Sequence, residues 1–520
     1  MSVFILIMML FAAGYALVWV SVTPAVRLYI GPRFIGAYAA MIMAGLFVPN
    51  WWGFYGVCLI VFIVTARDRI DAVCRYMLLA VLVPAVDNPL QVGGLYLTGL
   101  TTIHVLGIAL LISMAVQGAR PNIRPLRGLT AEDALVFVLF VIFSYGVTRF
   151  STVSGGVRIL TDQALVLVLP YIVIRKYVRS SEEFMRVMAA VGVAAMFLTV
   201  YGLYEARFGW SPFESIVDRQ SVGIRVSKTL QVRGSSMRAS TTFSTPLELA
   251  TFLVLGFTAI LCLRDAYRSR LMHVAASGLV LLGIVAAQSR GNLATLVLAV
   301  LIIAIARKKW GYASAIVAGA PLGLIGLLVL ARNSLSLAAF FNTGNDSGEP
   351  YDYRQILLTR GLEEGAKHRW FGSSIEDVLY RLADITQGEH IVDLVNSYLN
   401  IYLVSGLFGF LAVVLLLARV VAKLVTPIRR DCPRSLRMSR DFTLASLAGM
   451  IVILAFMSFS GLVPFLVVIL LAGARLVSVE RSRLPGLRPT IAPPGMAETP
   501  PTPHRHGRRL PATSTAFREA

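Results

Sequence analysis

Charged side chains are scarce in this sequence. They account for 15% of 520 residues, against roughly 25% in an average soluble domain. Hydrophobic residues make up 57%, and the mean hydropathy is +0.73. That shortage excludes a soluble enzyme, a disordered chain and a fibrous protein. Cysteine is scarce too. Cys58, Cys74, Cys262 and Cys432 form no CxxC pair, and three lie in or beside apolar runs, so neither a disulfide framework nor a zinc site is indicated. No GxxxxGK[ST] and no HExxH occurs, and Asp346 and Asp352 stand apart without forming Asp-x-Asp. Nothing therefore points to nucleotide hydrolysis or a bound divalent metal. The first apolar run has neither a basic leader nor a small-residue cleavage site, so it reads as a helix and not as a cleavable signal. No internal repeat is visible, which speaks against an inverted-repeat transporter.

Long apolar runs are what the sequence does have. A bilayer core takes about 20 apolar residues per helix. Candidate spans fall near 3–23, 34–48, 50–65, 73–86, 98–117, 131–147, 161–174, 186–204, 242–263, 271–288, 291–306, 311–331, 394–422, 441–458 and 461–478. The run 73–86 is short and meets Pro84 and Asp87. The run 161–174 carries Pro170, and 441–478 also reads as one tilted or broken element. The expectation is an all-α polytopic membrane bundle of 12 to 15 spans. Two polar loops interrupt the rhythm, at about 205–241 and 332–393. In the second, Ile356, Leu357 and Leu362 have helical spacing, so short helices are expected there. The proline- and arginine-rich stretch 479–520 reads as a disordered tail.

The net charge of +20 suggests nucleic acid in a soluble protein, but in a membrane protein it reports orientation. With the basic tail placed in the cytoplasm, 24–33, 66–72, 118–130, 175–187, 264–270, 307–310 and 424–440 fall on the same side. That side holds 33 basic and 12 acidic residues, a net of +21, and the other holds 15 and 16, a net of −1. No nucleic-acid partner is expected. The two long loops lie on the external side.

The external charges are unevenly spread. The first loop carries Arg219, Arg225, Lys228, Arg233 and Arg238. Arg290 sits in a turn between two spans, and Arg354 lies in the second loop. Arginine suits bidentate binding of phosphate oxygens, and a charge near membrane depth is a functional candidate. Blander readings stand beside these. Arg290 could snorkel to the interface, and Arg225 and Arg233 could be solvated loop charges. Glu248, in the first turn after Pro246, could only complement a helix dipole. His104 could be a satisfied interior histidine, and Trp51-Trp52 an interfacial belt.

Four segments, in order, resemble the O-antigen ligase and polysaccharide polymerase (Wzy-like) superfamily of bacterial inner membranes. Arg238-Ala-Ser-Thr-Thr-Phe243 with Pro246 is similar to the family's R-x-x-G-T-F-x-x-P, with Thr241 in place of the glycine. Gln288-Ser289-Arg290-Gly291 is similar to its S-R-G turn. Tyr353-Arg354 with Trp370-Phe371-Gly372 is similar to its R…P-x-x-G stretch. Asn396-Ser397-Tyr398-Leu399 with Gly406 and Gly409 keeps the spacing of its fourth motif, although the family's histidine falls on Val395. The resemblance covers roughly 180–425.

The resemblance implies transfer of glycans from an undecaprenyl-diphosphate carrier at the periplasmic face, without a cofactor or metal. Arg238, Arg290 and Arg354 would bind the diphosphate, and His390, Glu248 or Asp393 would act as base. Ser289, Gly291, Asn396, Ser397, Tyr398, Gly406 and Gly409 would be motif positions. The implied partners are a lipid-linked glycan donor, a glycan acceptor, membrane lipids, and chain-length regulator and flippase proteins. The missing histidine favours a polymerase over an O-antigen ligase or protein O-oligosaccharyltransferase. A transporter or flippase of lipid-linked glycan is the non-enzymatic alternative. The expected organisation is membrane helices over 1–204, a catalytic region over 205–425 with its large loop near 332–393, a helical pair over 426–478 and the tail. The protein is expected in the bacterial inner membrane with its tail cytoplasmic.

Overall fold

A computed structural model describes residues 2–93, 95–118, 129–149, 152–221, 232–233, 236–331, 349–385, 392, 394–428 and 432–483. The N-terminal half places α1 at Ser2–Ser21, α2 at Pro32–Phe47, α3 at Trp51–Thr65 and α4 at Arg69–Leu82. A hairpin follows, β1 at Asp87–Val92 and β2 at Leu95–Thr101. Then come α5 at Thr102–Val116, α6 at Ala131–Thr148, α7 at Val153–Tyr177, α8 at Ser181–Phe208 and a short α9 at Glu214–Gln220. A minimal ladder, β3 at Val232–Arg233 with β4 at Ser236–Met237, precedes α10 at Pro246–Cys262, α11 at Arg270–Ala286, α12 at Arg290–Ala306 and α13 at Trp310–Ala331. Two helices outside the apolar runs, α14 at Glu349–Lys367 and α15 at Ile375–Arg381, lead to α16 at Ser397–Val425, α17 at Arg434–Ile453 and α18 at Val463–Arg483.

Among the described residues six helices are long and apolar enough to cross a membrane, and several more apolar helices of 10–17 residues stand beside them. Each candidate span of the sequence holds a helix. The protein is an all-α polytopic membrane bundle. Several of its helices start where side chains satisfy first-turn N–H groups. Asn50 caps α3 and Asp68 caps α4. Ser180 caps α8, and Thr245 caps α10 with Pro246 in the first turn. Helices α4, α8 and α10 form the centre. Every α4 residue from Ile70 to Leu82 is buried, including an Arg75–Asp71 ion pair at 2.7 Å.

The loops sort into two ends. At the basic end Thr23 N donates to Ala266 O at 2.9 Å, and Ser181 N donates to Glu480 at 2.8 Å. Arg434 pairs with Asp265 at 2.7 Å and Lys423 with Glu132 at 3.2 Å. At the opposite end Gln220 Nε2 donates to Gly45 O at 2.9 Å and Asn88 Nδ2 to Gln220 O at 2.9 Å. There too Ala85 N donates to Thr242 O at 3.3 Å, and Arg149 Nη1 to Gly372 O at 2.8 Å. Segments assigned to one side by charge thus touch one another, as an up-and-down alternation requires.

Several expected boundaries move. The run 98–117 begins as strand β2, and α5 starts only at Thr102. Pro170 does not break α7. A π-helical stretch over Ala164–Val168 precedes it, and widening the turn accommodates a residue that has no N–H to donate. Residues 441–478 are two helices joined by a turn at 454–462. The expected tail enters α18, which runs on to Arg483, and 484–520 lie outside the described residues. The run 394–422 is broken at Gly406, which has φ 65° and ψ −166°. The 19 residues beyond the break span about 28 Å at 1.5 Å each, enough by themselves for the hydrocarbon core.

Candidate active site at the end opposite the basic face

The turn between α11 and α12 gathers the arginines. Gln288 takes a left-handed conformation with φ 50°, which reverses the chain so that Ser289 precedes α12 and Arg290 begins it. The Ser289 hydroxyl accepts from Asn292 Nδ2 at 2.9 Å and does not cap the backbone. The first turn of α12, with its positive dipole end, therefore carries no side-chain cap beside the Arg290 guanidinium. Arg238 docks on the same turn. Its Nε donates to Ala287 O at 3.4 Å, while Ala239 N donates to Ala286 O at 3.1 Å. Arg354, exposed on α14, is close enough for its charge to act on Arg290, and it makes no ion pair among the described residues. Arg238 and Arg290 of the sequence reading share this turn, and the Arg354 charge acts on it from α14.

A small cap holds Arg354 over that end. Helices α14 and α15 and the first half of α16 share a separate apolar cluster of Tyr353, Leu357, Val378, Leu382, Leu399 and Leu403. Glu364 accepts from Lys367 and Arg381, each at 2.6 Å, and Arg381 also reaches His368 Nε2 at 2.8 Å. Burial works to raise the Glu364 carboxyl. The hydrogen bonds and charges of Lys367 and Arg381 outweigh it and leave the group below the ordinary carboxylate value.

The break in α16 locks this cap to the bundle. Leu407 N donates to Arg369 O at 2.8 Å and Ser373 N to Leu403 O at 2.8 Å, so the chain at 369–373 takes over backbone groups that the helix leaves open. A Cβ on Gly406 would strike the Trp370–Phe371 peptide, and one on Gly372 the Leu403 and Val404 carbonyls. Both have positive φ. The Trp370-Phe371-Gly372 segment and Gly406 are thus one structural unit. Gly409 packs against Ile142 of α6 and the Ser405 side chain.

Glu248 is buried, with its carboxylate near the backbone of Ser244 and Leu462. Gly461, at φ 58°, leaves the space into which that carboxylate reaches. Its geometry is that of a latch on the α17–α18 turn. The same turn receives the start of α16. Ser397 N donates to Leu454 O at 2.9 Å, Ser397 Oγ to Met457 O at 2.5 Å, and Tyr398 OH to Ile451 O at 2.8 Å. Gly291 faces Ile453. Asn292 ties α10 to α12, accepting from Thr251 Oγ1 at 3.2 Å and donating to Leu247 O at 3.4 Å. Asn396 is the N-cap of α16, and its Oδ1 accepts from Tyr398 N and Leu399 N.

Sequence reasoning missed the turn at 454–462, taken as span ends, and Glu205. The Glu205 carboxylate, wholly buried near the end of α8, accepts from Ser240 N at 2.8 Å and Thr241 N at 2.6 Å. It supports the loop that presents Arg238. Thr241 is left-handed, with φ 54°. His390 and Asp393 lie outside the described residues, as do Arg225, Lys228 and Asp346; the side chains of Arg233 and Asp352 also fall outside them. Val395 packs against the cap's apolar cluster. His104 caps its own helix α5, with Nδ1 at 3.2 Å from Gly99 O. Trp51 and Trp52 stack at 4.0 Å where α3 begins.

The fold and site define a multi-pass membrane protein whose extramembrane cap covers an arginine-bearing helix turn. Residues 249–414 match the family model described as O-antigen ligase. The match supports a glycan ligase or polymerase type of activity. It takes in Arg290, Arg354 and the broken α16, while Arg238, Glu205 and the α17–α18 turn lie outside it. No curated protein matches the chain.

Proposed function

We propose that this protein polymerises undecaprenyl-diphosphate-linked oligosaccharide repeat units at the periplasmic face of the bacterial inner membrane, and that its basic tail is cytoplasmic. The observation that carries the reading is the docking of Arg238 on the turn where Arg290 begins α12, within reach of the Arg354 charge. An acceptor hydroxyl attacks the anomeric carbon of the donor, the bond from that carbon to the diphosphate oxygen breaks, and the lipid diphosphate leaves with the bond's electron pair. Negative charge grows on the leaving group, and the arginines together with the positive end of α12 offset it. The proton of the attacking hydroxyl passes to a general base, for which His390 and Asp393 are the candidates. Glu248, whose buried carboxylate reaches the space left by Gly461, is the third candidate for that base.

Chain transfer to lipid A core or protein is the second reading, and the O-antigen ligase description of the matched family favours it. Val395, where the family has histidine, weighs toward polymerisation. A deletion strain separates the two. Single lipid-linked repeat units accumulate if the protein polymerises, and long lipid-linked chains accumulate if it ligates. Complementation with Arg290→Ala or Arg238→Ala is expected to lower product yield by about 10²–10³-fold, the usual cost of one lost oxyanion-type donor. Unchanged yield and chain length in both variants would sink the diphosphate-binding role.

A further inference from the structure

A patch of aromatic side chains stands open where the cap meets the bundle. Trp370, Phe371 and Phe408 are exposed by 50%, 64% and 55%. Their rings nevertheless gather, with Phe408 at 5.4 Å from each of the other two. Trp370 and Phe371 lie in the link between α14 and α15, outside every apolar run of the sequence. Phe408 follows the break at Gly406 and stands at the start of the half of α16 that is long enough to cross a membrane. Below it Leu411 and Leu415 are exposed on the same face of that half, and Lys423 pairs with Glu132 at its far end. On α6, which packs against α16 through Gly146 with Val404 and Ile142 with Gly409, Phe137, Val141 and Tyr145 are exposed at four-residue spacing. Exposed apolar stripes on two adjacent membrane helices form a lipid-facing wall. The aromatic patch is the upper end of that wall.

We propose that Trp370, Phe371 and Phe408 seat the cap in the interfacial layer of the bilayer, where phospholipid headgroups meet acyl chains. Aromatic rings are favoured at that level, since they leave water without entering the hydrocarbon centre. Charged groups stand at the same height. The Arg369 guanidinium lies 5.2 Å from the centre of the Trp370 ring, and that of Arg149 lies 5.3 Å from the Tyr145 ring. The rings are held in place before lipid covers them. Phe408 N donates to Trp370 O at 3.4 Å, and Arg149 Nη1 donates to Phe371 O at 3.2 Å. The link is thus tied to both α6 and α16, and little freedom is lost on docking. The bilayer is the occupant that fits, because the patch continues the lipid-facing wall, and whatever covers Phe408 lies beside Leu411 among acyl chains. A glycan platform presents a flat ring, whereas Phe408 is tilted by 31° to Trp370 and by 47° to Phe371. At the same end of the bundle Trp52 is exposed where α3 begins, as one interfacial level shared by separate helices requires. The proposal needs a bundle in a bilayer and is independent of the glycan chemistry and of which end is cytoplasmic.

The test uses the full-length protein in phosphatidylcholine nanodiscs, with single introduced cysteines carrying a small fluorophore; the native cysteines are all buried. In Phe371→Cys the label is expected to lose most of its emission to lipids bearing a nitroxide near the headgroup, less to lipids with a mid-chain nitroxide, and little to aqueous iodide. Trp370→Cys, a separate change in the same link, should repeat that pattern. Leu415→Cys, farther down the wall, should reverse the order of the two lipids. Tyr380→Cys, on the exposed side of α15, should answer to iodide alone. The proposal is overturned if the labels at 370 and 371 behave like the one at 380, which leaves the cap standing in water with its patch open to another ligand. It is equally overturned if they are shielded from iodide yet quenched by neither lipid, which puts a second copy or another protein over the patch.

Discussion

Thr241 is a β-branched residue held at positive φ, where the resembling family has glycine. A left-handed conformation costs a non-glycine residue roughly 1–2 kcal/mol. Glu205 offsets that cost by taking the N–H groups of Ser240 and Thr241. Replacing Glu205 with alanine leaves two buried donors unsatisfied, at about 1–3 kcal/mol each. The expected outcome is a lower melting temperature and a large loss of product, although Glu205 touches no substrate. Glu205→Gln keeps an acceptor and should retain most of both. Equal stability of the alanine variant would show that the loop is held some other way. Glu205 escapes a sequence reading because it stands one residue beyond an apolar run, where a carboxylate looks like a solvated helix end. Arg290 was legible because a charge in a turn almost without a loop has few bland explanations.

Helix α16 shows why element boundaries are harder to read than elements. Residues 394–422 look like one continuous apolar span, because Gly406 is tolerated in a membrane helix and nothing local marks its conformation. What breaks the helix is the backbone of 369–373, more than thirty residues earlier, pressing against it. Gly406→Ala should therefore do more than reduce helix flexibility. Its φ and ψ are open almost only to glycine, and the strain alone costs about 1–3 kcal/mol, before the clash with the Trp370–Phe371 peptide. Limited proteolysis of the membrane-embedded protein is expected to cut the cap between α14 and α16 far faster, while Gly311→Ala, where a Cβ meets nothing, changes nothing. Helix α14 of the cap was legible from the spacing of Ile356, Leu357 and Leu362. The cap's ion pairs were not, since they join residues on different elements.

Those ion pairs give the cap a pH dependence. The Glu364 carboxyl lies below its ordinary value in the folded cap, so the stabilisation it contributes is complete above the unfolded carboxylate range, near pH 4.5. It is lost as pH falls through the lower folded value. Lys367 and Arg381 are partly exposed, so the effect is modest and weakens with salt. Hydrogen exchange in α14 and α15, corrected for the intrinsic rate, should accelerate as pH drops from 5 toward 3. In Glu364→Gln it should already be fast at pH 5 and change little below. An unmodified cap that exchanges equally at both pH values would refute the coupling.

At the scale of the molecule, charge and contact give the same division of loops. The sequence assigns 33 of its 48 basic residues to one side by alternation. The structure joins those same loops to one another through Thr23 with Ala266, Arg434 with Asp265 and Ser181 with Glu480, and joins the acidic and near-neutral loops at the other end. A miscounted span in the middle would have placed at least one of these partners across the bundle. Which end faces the cytoplasm is then a single choice, and the proposed orientation follows the positive-inside rule. The four native cysteines are all buried, so single introduced cysteines can report it without removing them. Tyr380→Cys, at an 82% exposed position on α15, should react with a membrane-impermeant maleimide in cells with a permeabilised outer membrane. Arg434→Cys, exposed at the basic end, should react only after the inner membrane is opened. The reverse pattern would turn the whole molecule over, carrying the three arginines of the site to the cytoplasm and away from a periplasmic acceptor. Labelling of both from one side would break the alternation itself.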